Sequence, residues 1–251
     1  MWTCSLLKSN AWQALRGRYW RSFWVYLLLM VLSGTQLPHW EIRYSGEDVL
    51  DAVDYYSSVL NSLSTTTLLA IYLVILLGSV LYILWSAFVV TPLSVGQCRY
   101  FMESRQGRAP FRTIFTVFRT PYLNVVKVTF LTNLKIFVGL LLFVIPGIYW
   151  AYCYALVPYL MAENPYLTTS RAMELSRQIM YGEKFHRFIL KLSFLGWALL
   201  CWLTYGIGFF FLAPYQAATY AEFYAAMRAK AFAQGLTTPQ ELGGFVRHPE
   251  N

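Results

Sequence analysis

VIPGIYWAYCYALVPYLMAENP, residues Val144 to Pro165, poses the question on which the fold turns. Its composition suits lipid or a buried core. Yet Pro146-Gly147 interrupts it early, Pro158 falls inside the apolar run, and Glu163-Asn164-Pro165 closes it. Proline removes a backbone donor and glycine is a poor helix former, so the Pro-Gly pair is costly in mid-helix. At the outer surface of a membrane, Ile145-Pro146-Gly147 makes a tight turn between two spans. The returning span, 147–162, then crosses in about 16 residues, roughly 24 Å at helical rise, which is short for a bilayer. Such a helix stands nearly upright or is sheltered by its neighbours. The stretch reads as a helical hairpin.

The whole chain has the matching composition: 251 residues, 57% hydrophobic and 13% charged. Soluble domains carry about a quarter charged residues. Several apolar runs approach the roughly 20 residues that cross a bilayer as a helix. Six spans are predicted, at about 20–37 and 68–90, a third ending at residue 145, then 147–162, 188–204 and 207–226. The N-terminus is read as a retained first span rather than a signal peptide, because Ser33-Gly34-Thr35 is a poor cleavage site and the polar leader is long. Within that leader Leu6, Leu7, Ala11, Ala14, Leu15 and Tyr19 recur at helical spacing, with Lys8, Arg16 and Arg18 between them. That pattern predicts a helix on the membrane surface.

The net charge is +8, and its distribution sets the orientation. Only Arg43 lies in residues 38–67, beside Glu41, Glu47, Asp48, Asp51 and Asp54. That leaves nineteen of the twenty lysines and arginines on the opposite side, or in spans entering from it. This is a strong positive-inside bias, so both termini are expected in the cytoplasm of a multi-pass cell-membrane protein. The basic charge then belongs to an anionic inner-leaflet surface and calls for no nucleic acid.

The last two spans repeat the hairpin. LLCWLTYGIGFFFLAPYQAATYAE aligns with LLFVIPGIYWAYCYALVPYLMAE once a gap follows the turn. Gly206-Ile207-Gly208 replaces Pro146-Gly147, Pro214 matches Pro158, and Val90-Thr91-Pro92-Leu93 is a third echo. A basic segment with apolar periodicity precedes each hairpin, at 5–19, 110–120 and 168–182. The expected fold is therefore an all-α integral membrane protein of three hairpins, each behind a cytoplasmic interfacial amphipathic helix. The divisions are an interfacial helix at 1–19, a first hairpin at 20–90 with an acidic outer loop at 38–67, and a second interfacial segment and hairpin at 110–162. The third helix and hairpin follow at 168–226, with a cytoplasmic tail at 227–251, all within one membrane domain. Internal repeats are common in polytopic membrane proteins.

IPGIYWAYCYALVPYLMAENP, SRAMELSRQIMYGEKFHRFILKLSFLGWALL and LTYGIGFFFLAPYQAATYAEFY together resemble the bacterial membrane family called domain of unknown function 975. The shared pattern runs from about Leu134 to Tyr224. It includes the Pro-Gly turn, Ser176 with Met180 and Gly182, Leu192 to Trp197, and Gly206 to Gly208. The resemblance implies the fold and a bacterial membrane location, and it transfers no catalytic residues.

Few residues could carry chemistry. His39, His186 and His248 lie in separate segments, and Cys4, Cys98, Cys153 and Cys201 fit no zinc spacing, so no metal and free thiols are expected. No Gly-x-Ser-x-Gly setting or phosphate loop is present, so no enzyme and no cofactor are expected. Lys135 sits ten residues before the outer turn, near mid-membrane, where it either marks a functional site or snorkels towards the headgroups. Lys191, just inside span five, is read as snorkelling. Clustered tyrosines either line a cavity or bond between helices. Gly139, Gly147, Gly196, Gly206 and Gly208 allow close helix approach.

Asn164-Pro165 is read as a turn and Thr168 as the N-cap of the next helix, with Leu167 packing on Ala172. Glu163 is placed at headgroup level near Arg171, where neutralising it costs under about 1 kcal/mol. Arg16, Arg18, Arg171, Arg177 and Lys184 are expected to meet anionic lipid, and a protein partner or a second copy is the other candidate. Two functional readings remain. One is a non-enzymatic interaction, regulatory or lipid-binding membrane protein; the other is a small transporter for a lipid, peptide or hydrophobic solute.

Overall fold

A computed structural model describes residues 2–33, 53–58, 64–107, 109–119, 121–204 and 206–245. Most of the expected acidic loop, with His39, Arg43 and Glu47, lies outside these residues, as do Arg108, Tyr205, Arg247 and His248. The described residues form helices and no strands. Two compact units are present, residues 36–86 and the remainder of the chain.

The smaller unit contains a helical turn at 53–58 and α3, Thr65–Trp85. Ser64 caps α3 by accepting the Thr67 N–H at 3.3 Å. No residue of α3 is charged, and its 21 residues extend about 31 Å.

The larger unit begins with α1, Cys4–Leu15, and α2, Tyr19–Ser33. Gly17 turns the chain between them at φ +78°, a conformation that glycine adopts without strain. A π-helical turn, Ser86–Val90, leads into α4, Thr91–Gln106. A 3-10 helix at Phe111–Phe118 and α5, Tyr122–Leu142, follow. Next come α6, Val144–Cys153, and α7, Val157–Glu163. Then α8 covers Thr169–Ile179, α9 Lys184–Leu192, α10 Leu195–Leu203 and α11 Ile207–Ala233.

Four helical runs are long and apolar enough to cross a membrane: Thr65–Gln106, Tyr122–Leu142, Val144–Glu163 and Lys184–Leu203. They point to a multi-pass membrane protein. The described part of the expected first span is the 15-residue α2, and the expected sixth lies within α11, which also carries Glu222 and Arg228. Large apolar side chains stand exposed where α5 meets α6, with Leu141 at 74% and Ile145 at 83%. Water would not tolerate such a patch without a covering.

Helix α11 is the centre of the larger unit, and α1, α2, α4, α8 and α10 all pack on it. This changes the reading of the amphipathic segments. Leu7, Ala11 and Leu15 of α1 are buried in the protein core beside α11, and Ala172, Leu175 and Ile179 of α8 are buried likewise. The middle segment is a 3-10 helix held so close to α4 that a Cβ on Gly96 would collide with the Ile114 carbonyl. An apolar stripe fits a protein groove as well as a lipid surface, and here the groove takes it.

Two expected spans are each broken into two helices. The fourth divides into α6 and α7 at Tyr154–Leu156, and the fifth into α9 and α10 at Ser193 and Phe194. Lys8 supports the second break, donating to the Ser193 carbonyl at 2.9 Å with its ammonium 4.3 Å from the Phe194 ring centre. The connection between α5 and α6 is one extended residue, Phe143 at φ −154° and ψ 136°. Pro146 and Gly147 thus belong to the first turn of α6 rather than forming the turn themselves. Gly147 serves the close approach, because a Cβ there would lie 2.5 Å from the Leu140 nitrogen. Gly206 does supply a turn, at φ +84° before α11, and Gly208 inside that helix lies against Cys201.

Candidate functional site

Three prolines stand in apolar helical segments: Pro92 in α4, Pro158 in α7 and Pro214 in α11. Each lacks the N–H that would bond the carbonyl four residues earlier. In apolar surroundings a freed backbone group must find another partner. The Tyr122 hydroxyl donates to the carbonyl of Phe88, four residues before Pro92. Ser176, buried in α8, donates to the Cys153 carbonyl at 2.8 Å and accepts the Leu156 N–H at 3.3 Å, closing the gap that precedes Pro158. The Tyr19 hydroxyl donates to Phe211, three residues before Pro214, at 2.7 Å. Each of these three prolines has a side-chain hydroxyl serving the backbone just before it.

Each of these helices also carries a buried glutamate beyond its proline. Glu103 pairs with Arg99 at 2.9 Å and accepts from the Thr113 hydroxyl at 3.0 Å. Glu222 takes a two-pronged contact from Arg105 at 2.6 and 3.0 Å. Glu163, whose side chain is 0% exposed, pairs with Arg228 at 2.8 Å. It also accepts the Tyr224 hydroxyl and the Gly244 N–H, both at 2.7 Å. Two of these pairs join α11 to other arms, to α4 through Glu222 and to α7 through Arg228.

The tail after α11 closes over this layer. Asn164 donates to the Glu241 carbonyl at 2.8 Å and accepts the Tyr166 N–H at 3.0 Å. Arg171 grips the Glu241 carboxylate at 2.6 and 2.8 Å and also donates to Leu236. Those hydrogen bonds from Arg171 hold the Glu241 carboxyl below its ordinary value, and the same bonds raise Arg171. Thr168 caps α8 as expected, accepting the Arg171 N–H at 3.4 Å.

Several expected roles change. Glu163 is not an interfacial carboxylate beside Arg171: its partner is Arg228, and it is sealed from water. Arg171 is occupied by Glu241. Arg18 is occupied too, donating to the Ser104 and Gly107 carbonyls at the end of α4. A cation there also complements the negative end of the helix dipole. Lys184 lies 3.9 Å from the Tyr149 ring centre. Arg16, Arg177 and Lys191 are exposed.

Lys135 extends over two rings at the end of α6 and the break after it, 5.8 Å from the Trp150 centre and 5.1 Å from Tyr154. It lines a cleft of about 710 Å³ with Lys127 and with Arg177 of α8. A second cavity of about 270 Å³ adjoins the break in the α6–α7 arm, with Ser94, Thr129, Thr132 and Asn133 in its wall. Pro158 lines that cavity, whereas Pro214 is carried inside the continuous α11.

Sequence reasoning missed Arg228, Glu241 and the Arg105–Glu222 pair, since each joins residues at least 65 positions apart. Nor does the positive-inside count, which includes Arg187, distinguish it from the other cations. Arg187 instead lies between the Tyr220 and Phe223 rings, at 5.8 and 5.9 Å, with one buried guanidinium nitrogen lacking a hydrogen-bond partner among the described residues. One signal was available: a glutamate recurs after the proline of every arm.

No curated protein and no solved structure shows significant similarity to this chain. Residues 51–231, most of its length, match one family, which takes in all three proline-bearing arms and their glutamates. The chain belongs to the family described as "Protein of unknown function (DUF975)".

Proposed function

We propose that this is a non-enzymatic, six-span membrane protein with both ends in the cytoplasm, and that its basic cytoplasmic face binds anionic lipid. One observation carries the reading. Glu103, Glu163, Glu183, Glu222 and Glu241 are all engaged in ion pairs inside the fold. Arg16, Arg21, Arg112, Arg119, Lys127, Lys135 and Arg177 form no ion pair among the described residues. The internal network therefore absorbs five of the six described glutamates of the larger unit and leaves a surplus of cations. Each such cation near an anionic leaflet contributes up to about 1 kcal/mol.

Orientation is tested with an impermeant thiol reagent on intact cells. Ser57→Cys should label, and Tyr166→Cys should label only after lysis; the reverse pattern overturns the model. Lipid preference is tested by thermal unfolding in nanodiscs of phosphatidylglycerol or phosphatidylcholine, where equal stability in both would defeat the lipid reading. The polar cavity beside the broken α6–α7 arm favours a second reading as a small transporter, since discontinuous helices build many transport sites. Saturable flux of a hydrophobic solute or peptide in proteoliposomes would establish it.

A further inference from the structure

We infer that the cleft between α5 and α8 binds the phosphate headgroup of an anionic glycerophospholipid from the cytoplasmic leaflet. This rests on the orientation proposed above and adds a place and a ligand to it. Lys127 and Lys135 enter the cleft from one face of α5, and Arg177 enters from α8. The one carboxylate in the wall is Glu174, which accepts a hydrogen bond from Gln178 at 3.1 Å. Three cations against one anion leave a concave, positively charged site, which focuses the field on an anionic occupant.

Shape selects an amphiphile over a soluble anion. The volume of about 710 Å³ is far larger than a phosphate ion needs. Leu131 sits between the two lysines on the same helix face, and Met173 lies across from it. Beyond Lys135 that face of α5 continues towards the tip through exposed Val138 and Leu142. Lys127 and Lys135 are eight residues apart, about 12 Å along the helix. The cleft thus begins at a charged mouth and passes into an exposed apolar track, where acyl chains can lie. Hydroxyls of Thr168, Thr169 and Ser170 line the mouth and supply further donors to phosphate oxygens.

The test uses the purified full chain. Lipid retention is measured by native mass spectrometry with phosphatidylglycerol, phosphatidylcholine and inorganic phosphate as probes. Lys127→Gln, Lys135→Gln and Arg177→Gln combined should lower the preference for phosphatidylglycerol by roughly tenfold or more, since each cation contributes a factor of about five at most. The control set, Arg16→Gln, Arg112→Gln and Arg119→Gln, removes three exposed cations outside the cleft and should lower it by roughly twofold at most. If the triple variant does not fold, Lys127→Gln alone, at an exposed side chain, should still cost a few-fold. Equal losses in the control set, an undiminished preference in the folded cleft variant, or full displacement of the lipid by inorganic phosphate each overturn the site. If the wild-type chain itself shows no preference, the lipid reading fails along with it. A preference that survives in the cleft variant sinks only the cleft.

Discussion

The second and third proline-bearing segments, α6–α7 and α11, share a proline and a buried glutamate, and they solve the same problem in different ways. In the second, the helix stops at Cys153 and resumes at Val157, with Pro158 in the first turn of α7. In the third, α11 runs unbroken through Pro214. The neighbours explain the difference. Ser176 both donates and accepts, so it can hold a donor and an acceptor left by a full break. The Tyr19 hydroxyl serves one carbonyl, which suffices where the helix continues. A proline therefore does not dictate a kink or a break; the hydroxyl that reaches it decides which is stable. The glutamates differ in a parallel way. Glu163 has three partners and no exposure, whereas Glu222 relies on Arg105 alone.

The comparison can be broken most forcefully at the glutamates. Glu163→Gln leaves Arg228 without its counter-charge, and removing one member of a buried pair costs about 3–5 kcal/mol. Glu222→Gln should cost less, because Glu222 is bonded by Arg105 alone among the described residues, whereas Glu163 also accepts from Tyr224 and Gly244. Unfolding in detergent would compare the two, and a cost under about 1 kcal/mol for Glu163→Gln would return that residue to an interfacial role.

At the prolines, Ser176→Ala should destabilise by about 1–3 kcal/mol for each backbone group it orphans, and two are involved. Tyr19→Phe orphans one carbonyl at an exposed position and should cost about 1 kcal/mol. Equal losses would mean that the break in the second arm does not depend on Ser176.

A finer test lies where the hairpin helices touch. A methyl group at Gly147 meets the backbone of Leu140 at 2.5 Å, and one at Gly208 meets the Cys201 sulfur at 2.8 Å. Gly147→Ala should cost about 1–3 kcal/mol, with Gly208→Ala towards the lower end because part of the obstacle is a side chain. The same unfolding measurement ranks them, and a reversed order would show that α5 and α6 separate more easily than α10 and α11.

The smallest effect concerns the tail. Arg171 depresses the Glu241 carboxyl in the folded protein, so the stabilisation is present above the ordinary carboxylate value of about 4.3. It is lost as pH falls through the depressed value. Amide exchange at Leu242 and Gly244 should accelerate below about pH 4, and Arg171→Ala should show fast exchange already at neutral pH. Uniform protection down to acid pH would show that the tail is held by Glu163 and Arg228 rather than by this pair.

Much of this was written locally in the chain. Apolar runs near Thr65–Trp85, Tyr122–Leu142 and Val144–Glu163 announce membrane-length helices, because burial in lipid requires an uninterrupted apolar stretch. Thr168 was legible as a cap because the hydrogen bond it makes spans three residues. The family was legible too, carried by Pro146, Gly147, Gly206 and Gly208. Each of these signals is contained within one short stretch of the chain.

Tertiary structure decided the rest. The stripe of Leu7, Ala11 and Leu15 says that one face of α1 is apolar, but only packing shows that α11 covers it. Arg18 and Arg171 look like free surface cations until their partners, Ser104, Gly107 and Glu241, arrive from distant segments. Whether Pro158 breaks its helix depends on a serine 18 positions away, and Pro214 depends on a tyrosine 195 positions away. Sequence alone fixes which residues need a partner, since helical period, missing N–H groups and charge are properties of the residues themselves. Only the folded chain supplies the partner, because proximity between distant segments is created by packing and has no local signature.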